Sequence, residues 1–182
     1  MYANFSIIFG RVTPYVNGGT AMMLFIKDEQ GIYSPATTQV IIKAGRSLTR
    51  AALRKGTDFI SSPKVAKEAI ASLLANNQRE IFGCLFLDNK NRILKWKELF
   101  YGTINTITVY HREIVKEALR LNAAGVILAH NHPSGNCEPS QKDIELTIQL
   151  TEILMVVEVK VLDHIVVGED IVSFHDRGLC IK

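Results

Sequence analysis

Gly125-Val-Ile-Leu-Ala-His-Asn-His-Pro-Ser-Gly-Asn-Cys-Glu-Pro-Ser-Gln-Lys-Asp143 is the stretch whose reading decides the fold of this chain. Its apolar start, Gly125–Ala129, bounded by polar residues, reads as a buried strand. That strand runs into His130 and His132, two positions apart. Alternate residues of an extended chain point the same way, so both imidazoles can face one point while Asn131 faces elsewhere. Pro139 and Ser140 open a new helix, and Asp143, eleven residues after His132, falls in its first turn. Taken singly these residues have plainer uses: a loop histidine is usually surface polarity, and Ser140 with Asp143 reads as a capping box. Taken together, a strand, loop and helix deliver two imidazoles and a carboxylate to one place. That set can hold a catalytic metal with positions left for water and substrate.

Outward from this unit, strand and helix patterns alternate. Ser62-Pro63 places a cap and a first-turn proline before an apolar stripe of Val65, Ala69, Leu73 and Leu74 that runs to Asn76. Glu80–Leu87 reads as a strand, Asp88-Asn-Lys-Asn91 as its turn and Arg92–Phe100 as its antiparallel partner. A helix over Glu113–Asn122, a strand over Ala124–Ala129 and a helix over Ser140–Met155 follow. Val157–Val167 is then a central strand, with Ile171–Phe174 returning after the Gly168-Glu-Asp170 turn. Such alternation predicts an α/β core. Residues 1–60 read differently. The turn signals Asn17-Gly18-Gly19 and Asp28-Glu-Gln-Gly31 separate Tyr2–Phe9, Thr20–Ile26 and a stretch around Gln39–Ile42, which predicts a meander of short strands. Arg46, Arg50 and Arg54 recur every four residues and form a basic stripe if Ser47–Lys55 is helical, with Gly56 as its stop.

The His-x-His and Asp spacing resembles the JAMM (MPN+) metal motif of zinc isopeptidases. The fuller wording is similar to the RadC-like branch: His130-Asn-His-Pro-Ser-Gly135, Pro139-Ser-x-x-Asp143 and Leu162-Asp-His-Ile-Val-Val-Gly168. Phe86-Leu-Asp-Asn-Lys-Asn-Arg92, Phe100-Tyr-Gly-Thr-Ile104 and Arg112-Glu-Ile-Val-Lys-Glu-Ala-Leu119 fit as well, so the resemblance runs over residues 62–182. It implies an MPN-like mixed sheet flanked by helices in a domain over 61–182, behind a small β-rich extension over 1–60. It also implies one zinc ion held by His130, His132 and Asp143. Glu80 in Arg79-Glu-Ile-Phe82 then matches the carboxylate that takes the water's proton, and Ser140 the serine that supports an oxyanion. The implied activity is metallopeptidase or isopeptidase hydrolysis. The chain departs from the resemblance at His111, where proline is usual, and in residues 1–60, which do not read as the family's helix-hairpin-helix-like start.

In such sites zinc lowers the pKa of its water toward ~7. A carboxylate outside the ligand set must still carry that proton to a leaving amine. Asp163, beside His164, can orient one metal-bound imidazole, although such a pair is more often a local strand-end hydrogen bond. The same two imidazoles and carboxylate also fit an iron(II) facial triad, although the Pro-Ser element has no use there. A zinc nucleobase deaminase lacks its paired-cysteine ligands here. The competing non-enzymatic reading is a DNA-associated, repair-related module with a structural metal and the Arg46/Arg50/Arg54 stripe on phosphates.

Composition narrows these choices little. With 182 residues, 47% of them hydrophobic, and a formal net charge of +3, the chain can bury a sizeable core and needs no polyanionic partner. Cys84, Cys137 and Cys180 are odd in number and lack CxxC spacing, which points away from a disulfide framework and toward a reducing cytoplasm. Cys137, between the histidines and Asp143, reads as an incidental loop residue rather than a ligand. No apolar run is long enough to predict a membrane span. A peptide or isopeptide substrate is the expected partner.

Overall fold

A computed structural model describes residues 6–11, 22–27, 30–53, 63–103 and 107–179. The Asn17-Gly18-Gly19 turn, Arg54, Gly56, the Ser62 cap and Cys180 lie outside the described residues. The chain divides into two compact units, Met1–Ser47 and Leu48–Lys182. In the first, β1 (Ser6–Arg11), β2 (Met22–Lys27) and β3 (Tyr33–Pro35) form an antiparallel sheet in that order. The strand expected around Gln39–Ile42 is instead the start of a helix, α1 (Thr38–Ala52), whose last turn belongs to the second unit. The β-branched run Val40-Ile41-Ile42 suggested a strand, but Thr37 starts a helix there. Its hydroxyl accepts from the Val40 N–H at 3.4 Å, and its carbonyl accepts from the Ile41 N–H at 3.1 Å. Arg46 and Arg50 therefore sit on a helix that begins at Thr38, not at Ser47.

The second unit follows the predicted alternation. Its elements are α2 (Pro63–Leu74), β4 (Ile81–Leu87), β5 (Ile93–Tyr101), α3 (His111–Leu121), β6 (Gly125–Asn131), α4 (Gln141–Val156), β7 (Lys160–Val167) and β8 (Ile171–Ser173). They build a five-stranded mixed sheet in the order β5-β4-β6-β7-β8, in which only β6 and β7 run parallel. The strand expected from Val157 starts at Lys160. Val157 closes α4, Glu158 takes φ 59°, and the Val159 N–H returns to the Leu154 carbonyl at 2.9 Å. This backbone turn overrides the apolar run.

The pleat sorts side chains to two faces. Ile81, Leu85 and Leu87 of β4, Ile127 and Ala129 of β6, and Ile165 and Val167 of β7 pack with Ile70, Leu73 and Leu74 of α2. Phe82, Cys84 and Phe86, with Val126, Leu128 and Val166, pack on the other face with Ile114 and Ala118 of α3 and Leu150 and Leu154 of α4. Helices thus cover both faces of this mixed sheet, as an MPN-like fold requires. Parity along β6 then places His130 on the face of α4 and Asn131 on that of α2.

Candidate metal centre

His130 lies one residue before the end of buried β6, next to β4 through Phe82 and to β7 through Val166. Its neighbour Asn131 faces away, as expected, and joins strands: its Oδ1 accepts from the Ile81 N–H at 2.9 Å and its Nδ2 donates to the Arg79 carbonyl at 3.1 Å. These bonds fix the chain on either side of Glu80. Glu80 is itself pinned to the end of β5, its N–H on the Thr103 carbonyl and its own carbonyl taking the Gly102 N–H. Its side chain is buried.

The loop after β6 is held from outside the sheet. The His132 N–H donates to the Val167 carbonyl at 2.8 Å and the Glu169 N–H to the Gly135 carbonyl at 2.7 Å. Gly135 takes φ 85°, which a side chain rarely allows. Gly168 lies so close to this loop that a Cβ there would collide with the Gly135 carbonyl oxygen. The loop then reaches Ser140, which caps α4. The Ser140 N–H and Oγ–H both donate to Asp143 Oδ2, at 2.7 and 2.6 Å, and the Asp143 N–H returns to Ser140 Oγ at 3.2 Å. The capping box thereby aims the other carboxylate oxygen inward.

The expected residues come together. His130 Nε2 and His132 Nε2 are 3.0 Å apart, and Asp143 approaches them at 3.3 and 3.6 Å. Glu80, His130 and His132 also offer ligand atoms that all lie within 4.8 Å of one another. The electrostatics follow from this crowding. Burial is the largest influence on Asp143 and raises its carboxyl, but bonds from both histidines and Ser140 outweigh it and hold the group well below the usual range. The Asp143 bond is in turn the main cause that raises His132 above an ordinary imidazole. Burial raises Glu80 against the opposing pull of His130 and His132. His132 Nδ1 stands 2.6 Å from the Asn136 carbonyl, which only accepts, so that nitrogen carries a proton, and in the neutral ring Nε2 turns a lone pair inward. Two imidazole nitrogens and carboxylate oxygens converging this closely are a donor set that calls for a cation, and they suit zinc. A cleft of about 420 Å³ opens beside the cluster, lined by Glu80, His132, Ser140 and Asp143 and walled by Ile107 and Val109.

Asp163 makes local strand-end bonds and does not orient a ligand. Ile127 is its partner on β6, so it faces away from His130, and its carboxylate takes the His164 N–H, the Ser173 hydroxyl and the His175 N–H. The residue that touches a candidate ligand is His164, whose Nε2 lies 2.9 Å from His130 Nδ1. Its Nδ1 lies 2.6 Å from Thr147 Oγ1, which donates to the Asp143 carbonyl at 2.6 Å. His164 and Thr147 are fully buried. Burial depresses His164 well below an ordinary imidazole, with the nearby His130 adding to the effect. Sequence reasoning missed both, because their approach to His130 depends on the register of β6 against β7. On α1, Arg50 is paired with Glu98 at 2.7 Å.

The fold and this cluster define an α/β domain with a JAMM-like metal centre. Residues 60–179 match the family described as RadC-like JAB domain, and the chain belongs to that family. It is 46% identical over 149 residues to a UPF0758 protein of Cellvibrio japonicus, a match covering 81% of this chain and 66% of that one. A UPF0758 protein of Thioalkalivibrio sulfidiphilus is 45% identical over 173 residues, 94% of this chain and 76% of its own. One from Vibrio cholerae is 49% identical over 121 residues, 66% of this chain and 77% of its own. The matches thus span about two thirds to three quarters of these relatives' lengths. No helix among the described residues is long and apolar enough to cross a membrane.

Proposed function

We propose that the chain is a zinc-dependent hydrolase of amide or isopeptide bonds, carried by residues 61–182 and working in the cytoplasm. The observation that carries this reading is the convergence of His130, His132, Asp143 and Glu80 beside an open cleft that all but His130 help to line. In this reading His130, His132 and Asp143, 3.0–3.6 Å from one another, would hold one ion. When bound, that ion supplies Lewis acidity to activate water and polarise the acyl group.

Glu80 is the general base in this reading. Burial raises its carboxyl, which suits a group that takes a proton and hands it to a leaving amine. Ser140 is the donor to the developing oxyanion. Its hydroxyl would rotate off Asp143 Oδ2, while the Ser140 N–H keeps that oxygen in place. One such donor is worth ~2.7–4 kcal/mol of barrier. Ile107 and Val109 give the cleft an apolar side against which an extended acyl chain can lie.

The test is metal content together with turnover of chromogenic peptide and isopeptide substrates. Glu80→Gln is expected to keep zinc and lose activity by about 10²–10⁴-fold. The double change His130→Ala/His132→Ala is expected to lose both. Activity that survives Glu80→Gln removes its role, and wild-type protein that binds no metal removes the reading.

A further inference from the structure

We propose that His164 and Thr147 are positioning residues that fix the tautomer of His130, so that its Nε2 presents a lone pair to a divalent ion. The inference rests on the reading of the cluster as a metal centre, and its argument is an accounting of protons. Thr147 has one hydroxyl proton, and its Oγ1 lies 2.6 Å from the Asp143 carbonyl, a group that can only accept. That proton is therefore committed. The 2.6 Å contact between Thr147 Oγ1 and His164 Nδ1 must then be a donation from the imidazole. With its proton on Nδ1, His164 offers a bare Nε2 to His130 Nδ1 at 2.9 Å. Nδ1 of His130 therefore donates, and its Nε2 is left bare, 3.0 Å from His132 Nε2 and 3.3 Å from Asp143 Oδ1.

The direction of the chain is set at its far end by a peptide carbonyl that cannot donate. That carbonyl belongs to Asp143, so α4 supplies the carboxylate and, one turn later, orients the imidazole opposite it. Water cannot stand in for a missing partner, because His164 is wrapped by aromatic rings. Phe82 lies 5.7 Å and Phe174 4.7 Å from its ring centre, and both are buried. A pair that merely filled a polar hole would need hydrogen bonds of either polarity. A positioning pair needs them in this direction only.

Thr147→Val keeps the side chain's shape and removes the acceptor, whereas Thr147→Ser keeps the hydroxyl. In Thr147→Val the His164 proton has its one remaining partner at His130 Nδ1, which must then accept and move its own proton to Nε2. The full chain, with ¹⁵N-labelled histidine and no metal, would be read for tautomers at about pH 8 by long-range ¹H–¹⁵N couplings. Zinc affinity would be measured by competition with a chromophoric chelator, with thermal midpoints taken alongside.

Expected are Nδ1–H tautomers of His130 and His164 in the wild type and in Thr147→Ser, with zinc affinity retained in both. In Thr147→Val the tautomers switch and zinc affinity falls about 10–100-fold. A wild-type His130 protonated on Nε2 overturns the inference. So does a Thr147→Val chain that binds zinc like the wild type, or a Thr147→Ser chain as weak as Thr147→Val. Wild-type protein that binds no zinc would remove the proposed function, while the tautomers, read without metal, still decide this inference.

Discussion

The two faces of the five-stranded sheet solve different problems with the same strands. Under α2 the centre of the sheet is dry: Ile81, Leu85, Ile127 and Ile165 meet Ile70, Leu73 and Leu74. The buried Asn131 amide at the strand end spends its bonds on the backbone of Arg79 and Ile81. Under α3 and α4 the apolar packing is interrupted twice by buried polar groups. One interruption is the line from His130 through His164 and Thr147 to the Asp143 carbonyl. The other is Glu117, 5% exposed, which is held by Arg120 at 2.6 Å and Lys97 at 3.1 Å. Burying a polar group is unfavourable unless every donor and acceptor is met. The contrast teaches that stability can come from the α2 face by bulk and shape, while the α4 face trades some of it for a fixed arrangement of protons.

Breaking the dry face should give the largest loss of stability and leave the metal centre alone. Leu85→Ala is expected to lose about 2–5 kcal/mol in denaturant unfolding, with zinc affinity near that of the wild type. Zinc affinity falling in step would mean the faces are not separable. Gly168→Ala should act the other way. Its Cβ meets the Gly135 carbonyl oxygen and the backbone that carries the metal loop, so an expected loss of about 1–3 kcal/mol should come with weaker zinc binding. Unchanged zinc affinity in that variant would show that the loop yields without moving His132.

The Glu117 interruption can be probed with acid alone. The Arg120 bond, aided by Lys97 against the effect of burial, lowers its carboxyl from 4.5 to about 2. A carboxyl lowered in the folded state stabilises it above the unfolded value, so this contribution is present above pH 4.5 and is lost as pH falls toward 2. Its cationic partners are half exposed, so the expected loss is about 1–2 kcal/mol and should be missing from the pH–stability profile of Glu117→Gln. The smallest effect belongs outside both cores: Arg50→Ala removes an exposed partner of Glu98 and should change stability by under about 1 kcal/mol. A larger change would place Arg50 among the supports of β5.

The order of elements was largely legible in the sequence, whereas the contrast between the faces was not. Apolar runs and turn signals located β4, β5, β6 and β8 within two residues, and the Pro139-Ser140 signal located α4. Gln39–Ile42 misled because β-branched residues favour strands on average, whereas Thr37 and the pairing of β2 with β3 start a helix at that point. The ligand-orienting role weighed for Asp163 fails for a different reason. Being next to a histidine in sequence puts it on the opposite face of the strand, since successive side chains alternate.

The sequence by itself determined the strand–loop–helix unit, the residue types at His130, His132, Asp143 and Glu80, and the capping box that holds Asp143, because these depend on neighbours a few positions away. Only the tertiary structure decided that Leu128 lies opposite His164 and His130 opposite Val166, a register set by packing between strands more than thirty residues apart. That register puts His164 behind His130 and Thr147 behind His164. It thereby fixes where the protons sit, because a hydrogen-bond chain takes its direction from the partners that tertiary packing supplies.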